Sequence, residues 1–303
     1  MIEVNNITKK FGSFTALDNV TCTIPEGCIY GMVGSNGAGK STLLRLISGV
    51  YRPDAGEVLI DGEPVWENET VKAQIGFVPD ELYFLSGASM TRMAELYKAA
   101  FPRFDQKRFR ELADAFGLDT KKSIGTFSKG MKRQASTALA LACCPKYLFF
   151  DETFDGLDPI MRTLVKKLIC NDVIERKATA IITSHSLREL EDTCDQLALL
   201  HKGGLVLQSD VQNLKTSLFK VQIAFNRDFD RDTFRELNLL HYTRHGSVAS
   251  IIVRGDREQT VAILQSKMPV LLDVLPLTLE EVFTYEMEAL GYIFDDGMKE
   301  GTK

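Results

Sequence analysis

Along residues 2–207 the apolar positions fall into two alternating rhythms, short β-branched runs and stretches with helical spacing, with glycine and proline at the joins. That alternation predicts an α/β fold. Two runs, residues 29–33 (Ile-Tyr-Gly-Met-Val) and 147–150 (Tyr-Leu-Phe-Phe), show no polar alternation, so each is expected as a parallel strand covered on both faces. Residues 82–118 read mostly as helix, with Pro102 a break and Gly117 a cap. Beyond Ser209 the pattern predicts a strand over 220–225, a helix over 231–237 and a strand pair turning at His245 and Gly246. A helix over 257–267 and a strand over 270–275 follow. This β-α-β-β-α-β order is that of a split βαβ of the ferredoxin-like kind. A terminal helix is expected with Thr278 as N-cap and Glu281 completing a capping box, and the polar residues 295–303 (Asp-Asp-Gly-Met-Lys-Glu-Gly-Thr-Lys) are expected to fray.

A chain of 303 residues exceeds one ordinary domain, and the change of pattern near Ser209 predicts two, over 1–209 and 210–303, with a helical subdomain at about 82–145 inside the first. Hydrophobic residues at 45% and charged residues at 25% supply enough material for a core. The formal net charge of −5 offers no general attraction for nucleic-acid phosphates, so no nucleic-acid partner is expected. No run of 18 apolar residues occurs and the first residues lack a signal-peptide core, which predicts a cytoplasmic chain that does not itself span a membrane. The six cysteines form no CxxC pair and are read as buried reduced thiols.

Chemistry enters where the two apolar strands end. Gly34-Ser35-Asn36-Gly37-Ala38-Gly39-Lys40-Ser41 fits GxxxxGK[ST], placed after a strand and before the helical run that opens with Thr42. The glycines let successive backbone N–H groups face phosphate oxygens, and the following helix adds its positive end. Lys40 is then placed for β and γ oxygens, and the Ser41 hydroxyl for magnesium. A glycine-rich turn with an accidental lysine is the alternative, and average composition produces this pattern in roughly one such chain in a hundred. The second run ends in Asp151-Glu152. A strand closing on two carboxylates suits a magnesium-holding Asp151 and a Glu152 that deprotonates water, although alone it also suits an acidic pair at a helix start.

With those motifs in place, the first 210 residues or so resemble the ABC ATPase family, because motifs peculiar to it follow in order. Ser128-Lys129-Gly130-Met131 stands where the family has its LSGGQ signature, with Phe127 for Leu and Lys129 for Gly. The resemblance implies that Ser128 and Gly130 close over ATP held by a second ATP-binding subunit, identical or not. Locally the same residues read as a Ser N-cap and a Gly before a basic helix. Residues 154–159 match the family's D-loop, implying that Asp158 lies at the dimer interface, and His185 matches its switch histidine, which contacts the γ-phosphate. Phe11 matches the aromatic that stacks on adenine, although in isolation it reads as a core residue. Two departures stand out: Asp80 occupies the place of the family's glutamine, and Thr153 that of a common proline. Asp80 reads either as a magnesium ligand or as an acid at a helix start.

The wording of these motifs, with Leu279-Glu280-Glu281-Val282-Phe283 near the end, is similar to ABC-2 type exporter ATPases of the bacitracin, peptide and drug group. The implied fold is an α/β P-loop NTPase of the ABC cassette type with a helical subdomain, plus a small C-terminal α+β domain. The implied function is ATP hydrolysis with ATP and Mg2+, driving transport through integral membrane permease subunits from the cytoplasmic face of the membrane. A non-transport ABC ATPase with soluble partners is the alternative. An inactive subunit fits less well, because Glu152 and His185 are both present.

Overall fold

The structure, a computed structural model, describes residues 1–289. The fraying expected of residues 295–303 lies outside the described residues. The chain divides into two compact units, Met1–Gln208 and Ser209–Lys303.

The first unit opens with β1 (Ile2–Phe11), β2 (Phe14–Ile24) and β3 (Ile29–Val33), then α1 (Lys40–Ile47), β4 (Ala55–Ile60), β5 (Glu63–Pro64), α2 (Glu69–Lys72) and β6 (Ile75–Val78). Three helices follow, α3 (Met90–Ala100), α4 (Gln106–Ala115) and α5 (Lys129–Ala142), and then β7 (Tyr147–Phe150), α6 (Pro159–Arg176), β8 (Thr179–Ser184), α7 (Leu187–Leu190), β9 (Gln196–His201) and β10 (Gly204–Asp210). One sheet runs β2-β1-β4-β5 and is antiparallel. The other runs β10-β9-β3-β8-β7-β6, with β9, β3, β8, β7 and β6 mutually parallel. Both continuous apolar runs become central strands: every residue of β3 and of β7 is buried, as a strand covered on both faces requires. One core joins the sheets through α1, whose Leu43, Leu44, Leu46 and Ile47 pack with Val4 and Ile60 on one side and Met32 and Phe149 on the other.

The helical segment starts later than its periodicity suggests. Helix α3 begins at Met90, where the Ser89 side chain accepts from the Arg92 N–H. It ends before Pro102, and Asp105 caps α4. Gly117 follows α4 at φ 64°, the left-handed stop expected of a glycine there. Helix α5 packs against α3, α4 and β6, and all its residues from Arg133 to Ala142 are buried. No helix among the described residues is long and apolar enough to cross a membrane.

The second unit holds α8 (Val211–Ser217), β11 (Leu218–Ala224), β12 (Asn238–His245), β13 (Val248–Arg254), α9 (Arg257–Ser266), β14 (Leu271–Leu275) and α10 (Leu279–Ala289). Its antiparallel sheet runs β12-β13-β11-β14, the order of a split βαβ, with β12 and β13 joined across His245 and Gly246. Helix α8 stands outside the expected order, and one expected helix is shortened. The helix anticipated over 231–237 is a single 3-10 turn, Arg231–Phe234. Asp230 and Thr233 cap it reciprocally, Phe234 drops into the core against Phe225 and Phe229, and β12 pairing starts at Asn238, so no length remains for another turn. The capping box at α10 forms: the Thr278 N–H donates to Glu281 Oε2 at 2.9 Å, and the Glu281 N–H to Thr278 Oγ1 at 3.2 Å.

Candidate functional site

Parallel strands β3, β7 and β8 lie side by side, so their C-terminal ends deliver residues 34–42, 151–152 and 183–185 to one edge of the sheet. Open α/β sheets bind ligands at that edge. The loop after β3 can turn there because of its glycines. Gly39 sits at φ 105° as the N-cap of α1, and a Cβ on it would lie 2.6 Å from Leu17 Cδ2 and 2.9 Å from the Ala16 carbonyl oxygen. A Cβ at Gly34 would collide with the Leu200 carbonyl oxygen.

This loop borders a cavity of about 250 Å³ lined by residues 36–42 together with Phe14, Ala16, Asp80 and Glu152. Lys40, 5% exposed, donates to the carbonyl oxygens of Gly34 at 2.7 Å and Ser35 at 3.3 Å, and lies 3.1 Å from Glu152 Oε1. Its ammonium is thereby fixed where phosphate oxygens over the loop would meet it. The Ser41 hydroxyl donates to Asp151 Oδ1 at 2.9 Å, and Thr183 Oγ1 donates to the same oxygen at 2.8 Å. Burial pushes the Asp151 carboxyl above the ordinary carboxylate range, against the opposite pull of those two hydroxyls.

Asp151 Oδ2 is buried and has no hydrogen-bond partner. A buried carboxylate oxygen without a donor is costly, and a hard cation beside it would remove that cost. With the Ser41 hydroxyl and the nearby Asp80, the oxygen-only donor set fits magnesium.

Glu152 is held in an uncommon backbone conformation, φ 46°, with its N–H donating to Thr183 Oγ1 at 2.9 Å. Its Oε2 lies 3.1 Å from His185 Nδ1. Ligand atoms of Glu152, Asp155 and His185 all fall within 4.8 Å of one another. A carboxylate at the rim of a phosphate cavity, with a histidine on one oxygen and a lysine on the other, can accept a proton from water.

Other residues singled out in the sequence stand apart from the cavity lining. Ser128 caps α5, accepting from the Met131 N–H at 3.2 Å, and Asp158 caps α6 through the N–H groups of Ile160 and Met161. Gly130 lies beside the D-loop, where a Cβ would be 3.0 Å from the Gly156 carbonyl oxygen. Phe11 packs edge-on to Tyr51 at 5.6 Å under the Lys9 ammonium, whereas Phe14, 62% exposed, lines the cavity. Sequence reasoning passed over Phe14, Thr183 and Arg133. Phe14 could have been noticed as a second aromatic close to the first. The other two are placed by strand neighbours and helix packing that no local spacing encodes.

Fold and site together define a P-loop nucleotide-binding protein of the α/β class. A family model described as ABC transporter matches residues 17–155. The ABC transporter ATP-binding protein YtrB of Bacillus subtilis is 31% identical over 283 residues, covering 93% of this chain and 97% of its own. The bacitracin transport ATP-binding protein BcrA of Bacillus licheniformis is 32% identical over 218 residues, 71% of each chain. A solved ATP-binding subunit of an ABC transporter superposes with a TM-score of 0.66 at 24% identity, over 71% of this chain and 92% of that one. The chain belongs to the ABC transporter family as an ATP-binding subunit. It binds and hydrolyses ATP with magnesium, and subunits of this family dimerise and pair with membrane permeases.

Proposed function

We propose that this subunit powers export, lying on the cytoplasmic face of the membrane and held there by separate permease subunits. The observation that carries the chemistry is the placement of Glu152, its two oxygens against Lys40 Nζ and His185 Nδ1 at the mouth of the cavity. ATP lies with its phosphates over residues 34–42, with Lys40 on the β and γ oxygens. Ser41, Asp151 and Asp80 would hold magnesium, which neutralises charge on those oxygens. Glu152 takes the proton of the attacking water, and His185 orients Glu152 and contacts the γ-phosphate. Ser128, Gly130 and Asp158 meet the nucleotide and D-loop of the second ATP-binding subunit, which is why they sit at helix starts away from this chain's own cavity. Phe11, or Phe14 beside the loop, supports adenine.

Closing two subunits over two nucleotides gives the ATP-bound state a tighter dimer than the product state, and that difference is what a permease can use. Residues 80–90, which include the exposed Tyr83 and Leu85, are the proposed permease contact. The export direction rests on the resemblance to ABC-2 exporters and on the likeness to a bacitracin transport protein. The test is recovery of the tagged chain from gently solubilised membranes. A multi-spanning partner is expected, and in vesicles reconstituted with both chains, ATP added outside, where it reaches only outward-facing ATP-binding subunits, should drive solute into the lumen. Recovery with soluble partners alone, or ATP-driven movement of solute out of the lumen toward the face that binds ATP, would contradict the proposal.

A further inference from the structure

Arg133 is the largest fully buried side chain among the described residues and carries a permanent charge. An unpaired buried guanidinium is costly, so its partners matter. Its Nη2 lies 2.9 Å from Asp80 Oδ1, its Nη1 points to the carbonyl oxygens of Pro79 at 3.3 Å and Asp151 at 3.4 Å, and its Nε has no partner. The guanidinium thus sits behind the phosphate cavity, touching the end of β7, the loop after β6 and the one carboxylate of that loop that lines the cavity. Asp80 is the exposed half of the pair, at 53% against 0% for Arg133. Its charge therefore faces the space where a triphosphate binds, while the countercharge is held inside the fold.

We infer that Arg133 is a positioning residue for ATP and magnesium binding, whose buried charge offsets that of Asp80 and holds the Asp80 carboxylate at the wall of the cavity. Asp151, Glu152 and Asp80 already place three carboxylates around a site that must accept a polyanion, and Lys40 is shared between the loop carbonyls and Glu152. Without Arg133 the Asp80 charge would oppose the phosphates at short range through a partly desolvated path. With it, Asp80 and Arg133 form a neutral pair that presents an oxygen ligand to the site. Because Arg133 projects from α5, the helix that Ser128 caps, the same contact ties that helix to the ends of β6 and β7.

The inference rests on the cavity being the ATP site, and the experiment separates the two. Binding of a fluorescent ATP analogue is measured for wild type, Arg133→Gln, Asp80→Asn and the double variant, in EDTA and in excess Mg2+, with the melting temperature of each. Arg133→Gln is expected to weaken binding in EDTA by about tenfold, the scale of one uncompensated charge near the phosphates. Excess Mg2+ should recover part of that loss, because the freed Asp80 carboxylate gains a cation. The double variant should return affinity to within about threefold of wild type, since neither charge remains. Unchanged affinity in Arg133→Gln, or a double variant as weak as Arg133→Gln, would overturn the inference and leave Arg133 a packing residue. Should Arg133→Gln fail to fold, Asp80→Asn decides: it should melt lower than wild type yet bind the analogue in EDTA at least as tightly, and weaker binding would overturn the inference. Absence of binding by the wild type itself would instead sink the assignment of the cavity.

Discussion

Thr183 does more for the site than its place at the end of a buried strand suggests. One hydroxyl donates to Asp151 and accepts from the strained Glu152 N–H, so it fixes the metal-side carboxylate and the base together. Thr183→Val keeps the shape and removes both bonds, leaving the partly buried Glu152 N–H without that acceptor. The expected cost is about 1–3 kcal/mol in unfolding free energy, read by denaturant titration, with a fall in ATPase turnover that Thr183→Ser largely restores. Equal turnover in wild type and Thr183→Val would remove Thr183 from this role. The residues of GxxxxGK[ST] and the acidic pair were legible because each contributes through a fixed local spacing. Thr183 was legible only as part of a strand, since its partnership with Asp151 depends on β7 and β8 lying side by side. Arg133 was invisible for a related reason: helix spacing says that it is near the signature, not that it is buried against Asp80.

At the scale of elements, Ser128 and Asp158 each end a loop and start a helix, so a defect at either position has two possible origins. Asp158→Ala should destabilise the protein by about 1 kcal/mol through loss of the α6 cap, whereas Asp158→Ser keeps a capping oxygen and should melt near wild type. If Asp158 also serves the interface between subunits, Asp158→Ser still loses ATP-dependent dimerisation, measured by analytical ultracentrifugation with ATP. Normal dimerisation would leave Asp158 a cap alone. Apolar runs and caps were the readable elements: β3, β7 and the box at Thr278 stand where the pattern put them. Helix α8 was not anticipated, because its seven residues carry too few apolar positions to show a period. The turn at Arg231–Phe234 was read as too long, because its length is set by where Phe234 and β12 must lie.

For the whole molecule, the ATP cavity and every residue assigned to it lie within the unit Met1–Gln208, while the unit Ser209–Lys303 has a sheet and aromatic core of its own. The sequence marked the change of pattern near Ser209 and the order of strands beyond it, because composition and turn residues are local signals. The order of the six-stranded sheet was not legible, since no local signal states which parallel strands become neighbours. The central claim is that this arrangement hydrolyses ATP with Glu152 as the base. Its most direct test is Glu152→Gln, assayed for ATP binding, ATP-dependent dimerisation and turnover on one preparation. The account predicts retained binding, a dimer trapped by ATP and turnover lower by at least about a hundredfold. Turnover near that of wild type, with the same binding, would contradict it.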